Sequence, residues 1–157
     1  MSTKNLAKVA IVAALYVVLT VGLAPLSYGN IQFRVSEVLT LFAFINPMYI
    51  PGLVIGCIIS NLFSPLGIID VVVGSFATFI SLYCMTKTKN IFVASLFPVI
   101  FNGIFVGLEL YYLFSLPLLL TMAQVAIGEF VVVSLCGVAM FKVMMSNTAL
   151  MNTLEIN

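Results

Sequence analysis

The stretch Phe97–Glu109, FPVIFNGIFVGLE, decides how this chain has to fold. It is apolar at nearly every position, yet it carries an amide, Asn102, and a carboxylate, Glu109. These two side chains are seven residues apart, so on an α-helix they share one face, with Phe105 and Val106 between them. A carboxylate in a membrane-spanning helix costs about 2.5–3.5 kcal/mol on insertion scales, and it therefore usually faces a cavity or a polar partner. The stretch predicts a membrane helix with one face turned toward other polar groups.

The composition of the whole chain agrees with that prediction. Of 157 residues, 63% are hydrophobic and 7% are charged, and the mean hydropathy is +1.27. Soluble domains are roughly 45–50% apolar and 25% charged, so this is an integral membrane protein. At about 20 residues per span, the length limits it to about six spans and leaves no room for a soluble catalytic or nucleotide-binding domain.

The residue types also exclude several chemistries. The chain has no histidine, which excludes histidine metal sites and catalysis by Ser-His or Cys-His pairs. Its three cysteines show no metal or disulfide spacing, and no phosphate-binding loop of the form GxxxxGK[ST] is present. We therefore expect no enzyme, no metal and no cofactor, and any ATP-driven step would need another subunit.

Apolar runs separated by turn signals predict an all-α protein with a single transmembrane domain over residues 1–157. The predicted spans are about residues 5–24, 31–45, 48–63, 65–85, 91–112 and 117–144. Lysines collect on the cytoplasmic side of a membrane. Lys4, Lys8, Lys87, Lys89 and Lys142 share a side only if four crossings precede Lys87 and two follow it. Joining the short second and third spans would move two lysines outside, so we predict six helices with both termini cytoplasmic.

With this topology, every intramembrane charge lies at mid-depth or in the outer half of the membrane, and the cytoplasmic half is apolar with lysines at its edge. The candidate substrate-binding residues are Arg34, Glu37, Asn61, Asp70, Asn102, Phe105, Glu109, Gln124 and Glu129. Four acids against one arginine favour a ligand that is cationic or rich in N–H donors. Arg34 and Glu37 are one helical turn apart and could also neutralise each other. Tyr16, within the first span, is better explained by core packing than by a role in ligand binding.

Four runs of sequence, in order, carry a family resemblance: IQFRVSEVLT, SNLFSPLGIIDVVVGS, PVIFNGIFVGLEL and VAIGEFVVV. With them the chain resembles the QueT family of substrate-binding S components of energy-coupling factor (ECF) transporters, over nearly its whole length. The resemblance implies a six-helix S-component fold in the bacterial cytoplasmic membrane and capture of a queuosine precursor from outside. It also implies docking on a transmembrane T component that is coupled to two ABC ATPase subunits.

The resemblance gives a role to a small-residue motif on the first span. The spacing of Ala10 and Ala14 alone favours packing within the bundle. In S components, however, an AxxxA motif on the first helix contacts the T component, and these two alanines match it. The resemblance therefore favours the T-component interface.

The implied ligand, a 7-deazaguanine, presents an N–H and an exocyclic NH₂ side by side, which one carboxylate can accept together. We expect Glu109 or Glu129 to take this edge, with Asn102 and Gln124 reading the ring carbonyl and ring nitrogens.

An aminomethyl substituent of the ligand would add a cation, which Asp70 or Glu37 could bind.

Three alternatives stay open: an S component for another cationic or purine-like vitamin, a self-sufficient small-cation or proton-coupled carrier, and an intramembrane enzyme acting on lipid. The carrier would need an acid path into the cytoplasmic half, and the sequence shows none below Glu129. The enzyme would need a nucleophile or catalytic dyad.

Overall fold

The computed structural model describes residues 2–29 and 31–154, and these residues form helices and connecting turns with no β-strand. The α-helices are α1 (Thr3–Gly22), α2 (Ala24–Ser27), α3 (Phe42–Ile45), α4 (Ile50–Asn61), α5 (Ile68–Met85), α6 (Ile91–Phe114), α7 (Leu118–Glu129), α8 (Val138–Met145) and α9 (Thr148–Leu154). Two 3₁₀ helices, Val35–Leu41 and Pro47–Tyr49, lead into α3 and α4, and a π-helical segment, Phe130–Gly137, joins α7 to α8.

Four helices of the described chain are long and apolar enough to cross a membrane: Thr3–Gly22, Ile68–Met85, Ile91–Phe114 and the continuous run Leu118–Met145. The apolar helices Val35–Ile45 and Pro47–Asn61 are shorter. The fourth predicted span begins as a helix at Ile68 rather than at Pro65. The reason is local, because the Ser64 hydroxyl accepts a hydrogen bond from the Leu66 N–H and forms a turn instead of capping a helix.

Helix ends follow ordinary capping chemistry. Ser2 accepts a hydrogen bond from the Asn5 N–H at the start of α1, and Asn90 accepts from two N–H groups at the start of α6. Gly67 precedes α5 at φ +66°, a conformation that favours glycine. Ser115 ends α6 in the left-handed αL conformation, at φ 53° and ψ 33°.

The segment Val35–Ile45, which we call the central segment, lies in the interior of the bundle. Residues 36–41 are all buried, as expected of a helix surrounded by other helices rather than by lipid. It contacts α1 on one side and the π-helical segment on the other. A Cβ at Gly137 would lie 3.1 Å from a Leu41 methyl group, so a small residue is needed where the π-helical segment meets the central segment.

The two ends of the bundle differ in composition. Helices α1 and α4 run parallel, because Gly52 packs on Val9 while Gly56 packs on Tyr16. One end of the bundle then holds the starts of α1 and α6 and the ends of α5 and α8. All of the chain's lysines lie in or next to these helix ends, so we call this the lysine end. Its core is apolar and aromatic, and contains Phe42, Tyr49, Leu53, Leu82, Met85, Ile91 and Phe141. The polar side chains of the predicted site lie farther along the bundle, toward the opposite end.

Candidate functional site

The first part of the site is an ion pair between the central segment and α5. Arg34 directly precedes the 3₁₀ helix, and its Nη2 lies 3.8 Å from Oδ2 of Asp70, in the first turn of α5. Both side chains are buried, with 4% and 0% of their surface exposed. The guanidinium also lies over the Tyr28 ring, 5.8 Å from its centroid. The predicted pairing of Arg34 with Glu37 is replaced by this contact, because the residue before the 3₁₀ helix points to α5 rather than along its own chain.

Asn61, the last residue of α4, joins this pair to a third helix. Its Nδ2 donates to the Asp70 backbone carbonyl at 2.9 Å and lies 3.5 Å from the Cys57 sulfur. The close approach depends on Gly74, because a Cβ there would lie 2.7 Å from both Asn61 Nδ2 and Asp70 Oδ1.

The second part of the site connects α1 to the central segment. The Tyr16 hydroxyl donates to Oε1 of Glu37, and the hydroxyls of Thr20 and Ser36 share a hydrogen bond one turn farther along. Tyr16, Thr20 and Ser36 are wholly buried and Glu37 is 1% exposed. Glu37 therefore makes its hydrogen bond to α1, while Arg34 interacts with it electrostatically.

The third part lies between α6 and α7. Asn102 Nδ2 donates to Oε1 of Glu129 at 2.8 Å. Glu129 is within electrostatic range of Glu37 and Arg34, and Glu109 is within range of Asp70 and Arg34. Arg34 thus interacts electrostatically with all four buried acids.

Many oxygens of this cluster have no partner. Among buried side-chain atoms of the described residues, those without a hydrogen bond are Ser27 Oγ, Arg34 Nε and Nη2, Glu37 Oε2, Asn61 Oδ1, both carboxylate oxygens of Asp70 and of Glu109, Asn102 Oδ1 and Glu129 Oε2. Two of these atoms, Arg34 Nη2 and Asp70 Oδ2, make no hydrogen bond but attract each other as the ion pair described above. Leaving a buried acceptor unsatisfied costs about 1–3 kcal/mol, and native structures keep such groups few. A concentration of them in one cluster is typical of a site that takes up hydrogen-bond donors from a ligand.

A cavity of about 300 Å³ lies above the cluster, at the end opposite the lysines. Its lining residues are Tyr28, Gly29, Gln32, Ser64, Pro65, Leu66, Leu110, Phe114 and Leu116. It adjoins the cluster at Tyr28, whose ring lies against Arg34. A mostly apolar cavity of this size, next to a few polar groups, is typical of small-molecule sites. Glu109 and Phe105 line a separate apolar groove of about 290 Å³ between α5 and α6.

The structure brings most of the predicted residues together: Arg34, Glu37, Asn61, Asp70, Asn102, Glu109 and Glu129 are all buried, and contacts or electrostatic interactions connect them. Phe105 lies at one side, where its half-buried ring packs edge-on against Phe76 and is stacked on Phe101. Gln124 is half-buried and makes no polar contact with the described residues. It shares a face of α7 with Gly128, four residues away, rather than with Glu129.

Ala10 and Ala14 lie on a different surface. Both are exposed and line an apolar groove of about 360 Å³ between α1 and α4. Its other lining residues are Leu6, Val9, Ala13, Val17, Gly52, Ile55 and Ile59.

Sequence reasoning missed several residues of the site. Tyr16 packs in the core, as the sequence predicts, but its hydroxyl also donates to Glu37, a contact that the sequence does not predict. Its position was the available signal, because the other tyrosines fall near predicted span ends and Tyr16 does not. Tyr28 and Gln32 lie in a connection that gave no comparable signal. No group of three or more His, Cys, Asp or Glu residues in the described chain could hold a metal ion.

The sequence of the chain matches a known protein family. Residues 6–146 match the QueT transporter family. The chain belongs to that family. It is also 42% identical, over 144 residues, to the queuosine precursor transporter QueT of Lactococcus lactis subsp. cremoris (strain MG1363), an alignment that covers 82% of this chain and 85% of that protein. No solved structure matches the chain significantly. The chain is therefore a membrane protein of a transporter family, as its sequence pattern predicted.

Proposed function

We propose that this chain is the substrate-capture (S) subunit of an ECF-type importer and that it binds a queuosine precursor with a 7-deazaguanine ring. The curated relative is named as a queuosine precursor transporter, and it aligns over most of both chains. The chemistry of the polar cluster suits such a ligand, which is rich in N–H donors.

The observation that carries the proposal is the set of buried, unpartnered oxygens on Glu37, Asp70, Asn102, Glu109 and Glu129. One carboxylate can accept the ring N–H and the exocyclic NH₂ of the base as a pair. We assign this edge to Glu109 or Glu129, because Glu129 carries a free oxygen beside Asn102, and both oxygens of Glu109, about two turns farther along α6, are free.

An aminomethyl cation would be stabilised at the other side of the cluster, by Asp70 or Glu37. Asn61, Phe105 and Gln124 complete the proposed substrate-binding set, with the aromatic ring against the base. The excess of acids over Arg34 favours a cationic ligand over a neutral one.

The proposed topology has six crossings, a single domain over residues 1–157, and both termini in the cytoplasm of a bacterial cell. It is supported by the position of all lysines at one end of the bundle, opposite the cavity above the acids. The cavity then faces outward, where a capture subunit meets its substrate.

The proposed partners are a transmembrane T component and two ABC ATPase subunits, and the chain itself has no enzymatic role in the proposal. The groove that Ala10 and Ala14 line between α1 and α4 suits close approach of a partner helix, because small residues let two backbones come together. The ATPases supply the energy, since the chain has no phosphate-binding loop.

The deciding experiment titrates the purified subunit in detergent with queuine and with its 7-deazaguanine precursors, using guanine as the control ligand. We expect tight binding by the lone subunit. Glu129→Gln should weaken it by about 1 kcal/mol or more, roughly fivefold. Lys89→Gln, which removes an exposed charge at the lysine end, should leave affinity unchanged. Binding of another cationic vitamin in place of these compounds would change the substrate assignment, and binding of none of them would overturn it.

The partner proposal has its own test, uptake of substrate by vesicles that contain the complete importer. Ala10→Leu should stop uptake and leave binding to the lone subunit intact, because the larger side chain fills the groove. Ala139→Leu makes the same change at an exposed alanine of α8, outside the groove, and should transport normally. Uptake by the subunit without T component or ATPases would instead indicate a self-sufficient carrier.

A further inference from the structure

Tyr16 stands out among the buried groups to which the substrate proposal gives no task. Its side chain is 0% exposed at the middle of α1, and its hydroxyl donates to Oε1 of Glu37 across the interface with the central segment. A tyrosine placed for packing alone would not need an acidic partner, since a hydroxyl is satisfied by any backbone carbonyl.

The contact uses only half of the acceptor. Oε1 of Glu37 is taken by Tyr16, whereas Oε2 is buried without a partner. The Glu37 backbone is fixed as well, because the Thr40 hydroxyl donates to its carbonyl at 2.5 Å. One oxygen of the carboxylate is thus hydrogen-bonded to Tyr16, while the other is free to accept a hydrogen bond.

The phenol ring itself has little freedom to move. A Cβ at Gly56 would lie 2.9 Å from the Tyr16 Cβ, so α4 packs directly against the base of the side chain. The Thr20–Ser36 hydrogen bond, at 2.5 Å, joins α1 to the central segment one turn farther along. The hydroxyl position is therefore determined by the packing of three elements.

We propose that Tyr16 is a positioning residue for substrate binding: its hydroxyl fixes the Glu37 carboxylate so that the free Oε2 is presented to a donor of the ligand. The inference rests on the proposed function, because it needs a ligand in the acid cluster. A carboxylate held on one oxygen loses less side-chain freedom when a ligand binds the other, and a binding group held in place by a second residue recognises its ligand more tightly.

The test is a double-mutant cycle on the full-length subunit, read as affinity for a 7-deazaguanine precursor of queuosine. Tyr16→Phe removes only the hydroxyl and should weaken binding about tenfold. If Tyr16 acts through Glu37, then Tyr16→Phe combined with Glu37→Gln should bind no more weakly than Glu37→Gln alone. Losses that multiply in the double variant would show that Tyr16 acts independently of Glu37 and would overturn the proposal.

The chain offers a matched control in Tyr49. It is also 0% exposed and also donates one hydrogen bond, to the Leu154 carbonyl, but it lies at the lysine end. Tyr49→Phe should change affinity less than twofold. An equal loss of affinity in both tyrosine variants would indicate a general effect on packing and would overturn the positioning role.

The two proposals fail in different ways. If the unmodified protein binds no queuosine precursor, both fall together. If it binds and Tyr16→Phe binds equally well, only the role of Tyr16 falls. Should Tyr16→Phe not give monodisperse protein, 3,5-difluorotyrosine at position 16 keeps the ring and the hydroxyl but makes the hydroxyl more acidic. It should then change the pH dependence of binding, and an unchanged pH profile would contradict the proposal.

Discussion

The lysine end and the polar cluster of this molecule differ in whether their buried groups have partners. At the lysine end, Leu53, Leu82, Met85 and Phe141 are completely buried and fill the space between the helices, and the one buried phenol, Tyr49, donates to a carbonyl. Toward the other end, the central segment, α5, α6 and α7 contribute buried acids and amides, and several of their oxygens have no partner. The buried groups of the first region satisfy one another, whereas the second region keeps free acceptor oxygens, which the proposed function assigns to a ligand.

The difference separates stability from recognition. Side chains that fill the lysine end should determine whether the bundle folds, whereas the polar cluster should determine what it binds. Arg34 should affect both folding and binding, because it is the one buried cation of the described chain and interacts electrostatically with every acid of the cluster. Substitutions at either end of the molecule test whether stability and recognition are separate.

The largest effect is expected for Arg34→Met, which removes the buried cation and leaves four buried carboxylates. Breaking a buried ion pair by removing one partner usually costs about 3–5 kcal/mol, so we expect a large loss of folding stability and no detectable binding. Chemical unfolding in detergent micelles and ligand titration measure the two. Lys89→Met, at an exposed position, is the control. Normal stability of Arg34→Met would mean that the acids do not depend on Arg34.

A smaller effect, limited to folding, is expected for Leu82→Ala at the lysine end. Leu82 is 0% exposed, and truncation of a buried leucine costs about 2–5 kcal/mol through lost contacts and the cavity left behind. We expect a lower free energy of unfolding with affinity changed less than twofold. Leu119→Ala, at an 81% exposed position, should leave both quantities nearly unchanged. A strong loss of affinity in Leu82→Ala would mean that the two ends are not independent.

The smallest effect is expected for Gly74→Ala, which pushes a methyl group between Asn61 and Asp70, each only 2.7 Å from the new Cβ. The amide and the carboxylate must shift, so we expect affinity to fall about tenfold, roughly 1.4 kcal/mol, with less change in stability. Gly22→Ala is the matched control, because nothing lies within 4 Å of its added Cβ. Unchanged affinity in Gly74→Ala would remove Asp70 and Asn61 from the binding site.

Much of this arrangement could be predicted from the sequence, because buried acids in an apolar chain have few places to go. The seven-residue spacing of Asn102 and Glu109 put them on one buried face of α6, as the structure confirms. Apolar runs predict six helical stretches, and the described chain has helices in each of them, of which four are long and apolar enough to cross a membrane and two are shorter. The fourth begins as a helix at Ile68 rather than near Pro65. These features depend on periodicity within one element, which a sequence displays directly.

The contacts between elements could not be predicted in the same way. Spacing suggested that Arg34 pairs with Glu37, but Arg34 pairs with Asp70 and Glu37 with Tyr16. Both choices depend on how the central segment is rotated against α1 and α5, and that rotation follows from packing at places such as Gly56 and Gly74. A sequence gives the residues on each face but not which faces meet.

The tight winding of the central segment has a consequence for membrane thickness. A hydrocarbon core is about 30 Å thick, which an α-helix of this length would not cross. The seven residues of Val35–Leu41 rise about 2.0 Å each as a 3₁₀ helix, or about 14 Å, and the four residues of α3 add about 6 Å. Residues 31–34, which precede them outside any helix, contain a tight turn in which the Phe33 N–H donates to the Ile31 carbonyl, so they add little length.

The two helical parts are together about 20 Å long, compared with about 17 Å for eleven residues of α-helix. Such winding is open only to a segment enclosed by other helices, because lipid offers no partners for irregular backbone. In this protein the depth that a segment covers is therefore set by its winding as well as by its number of residues.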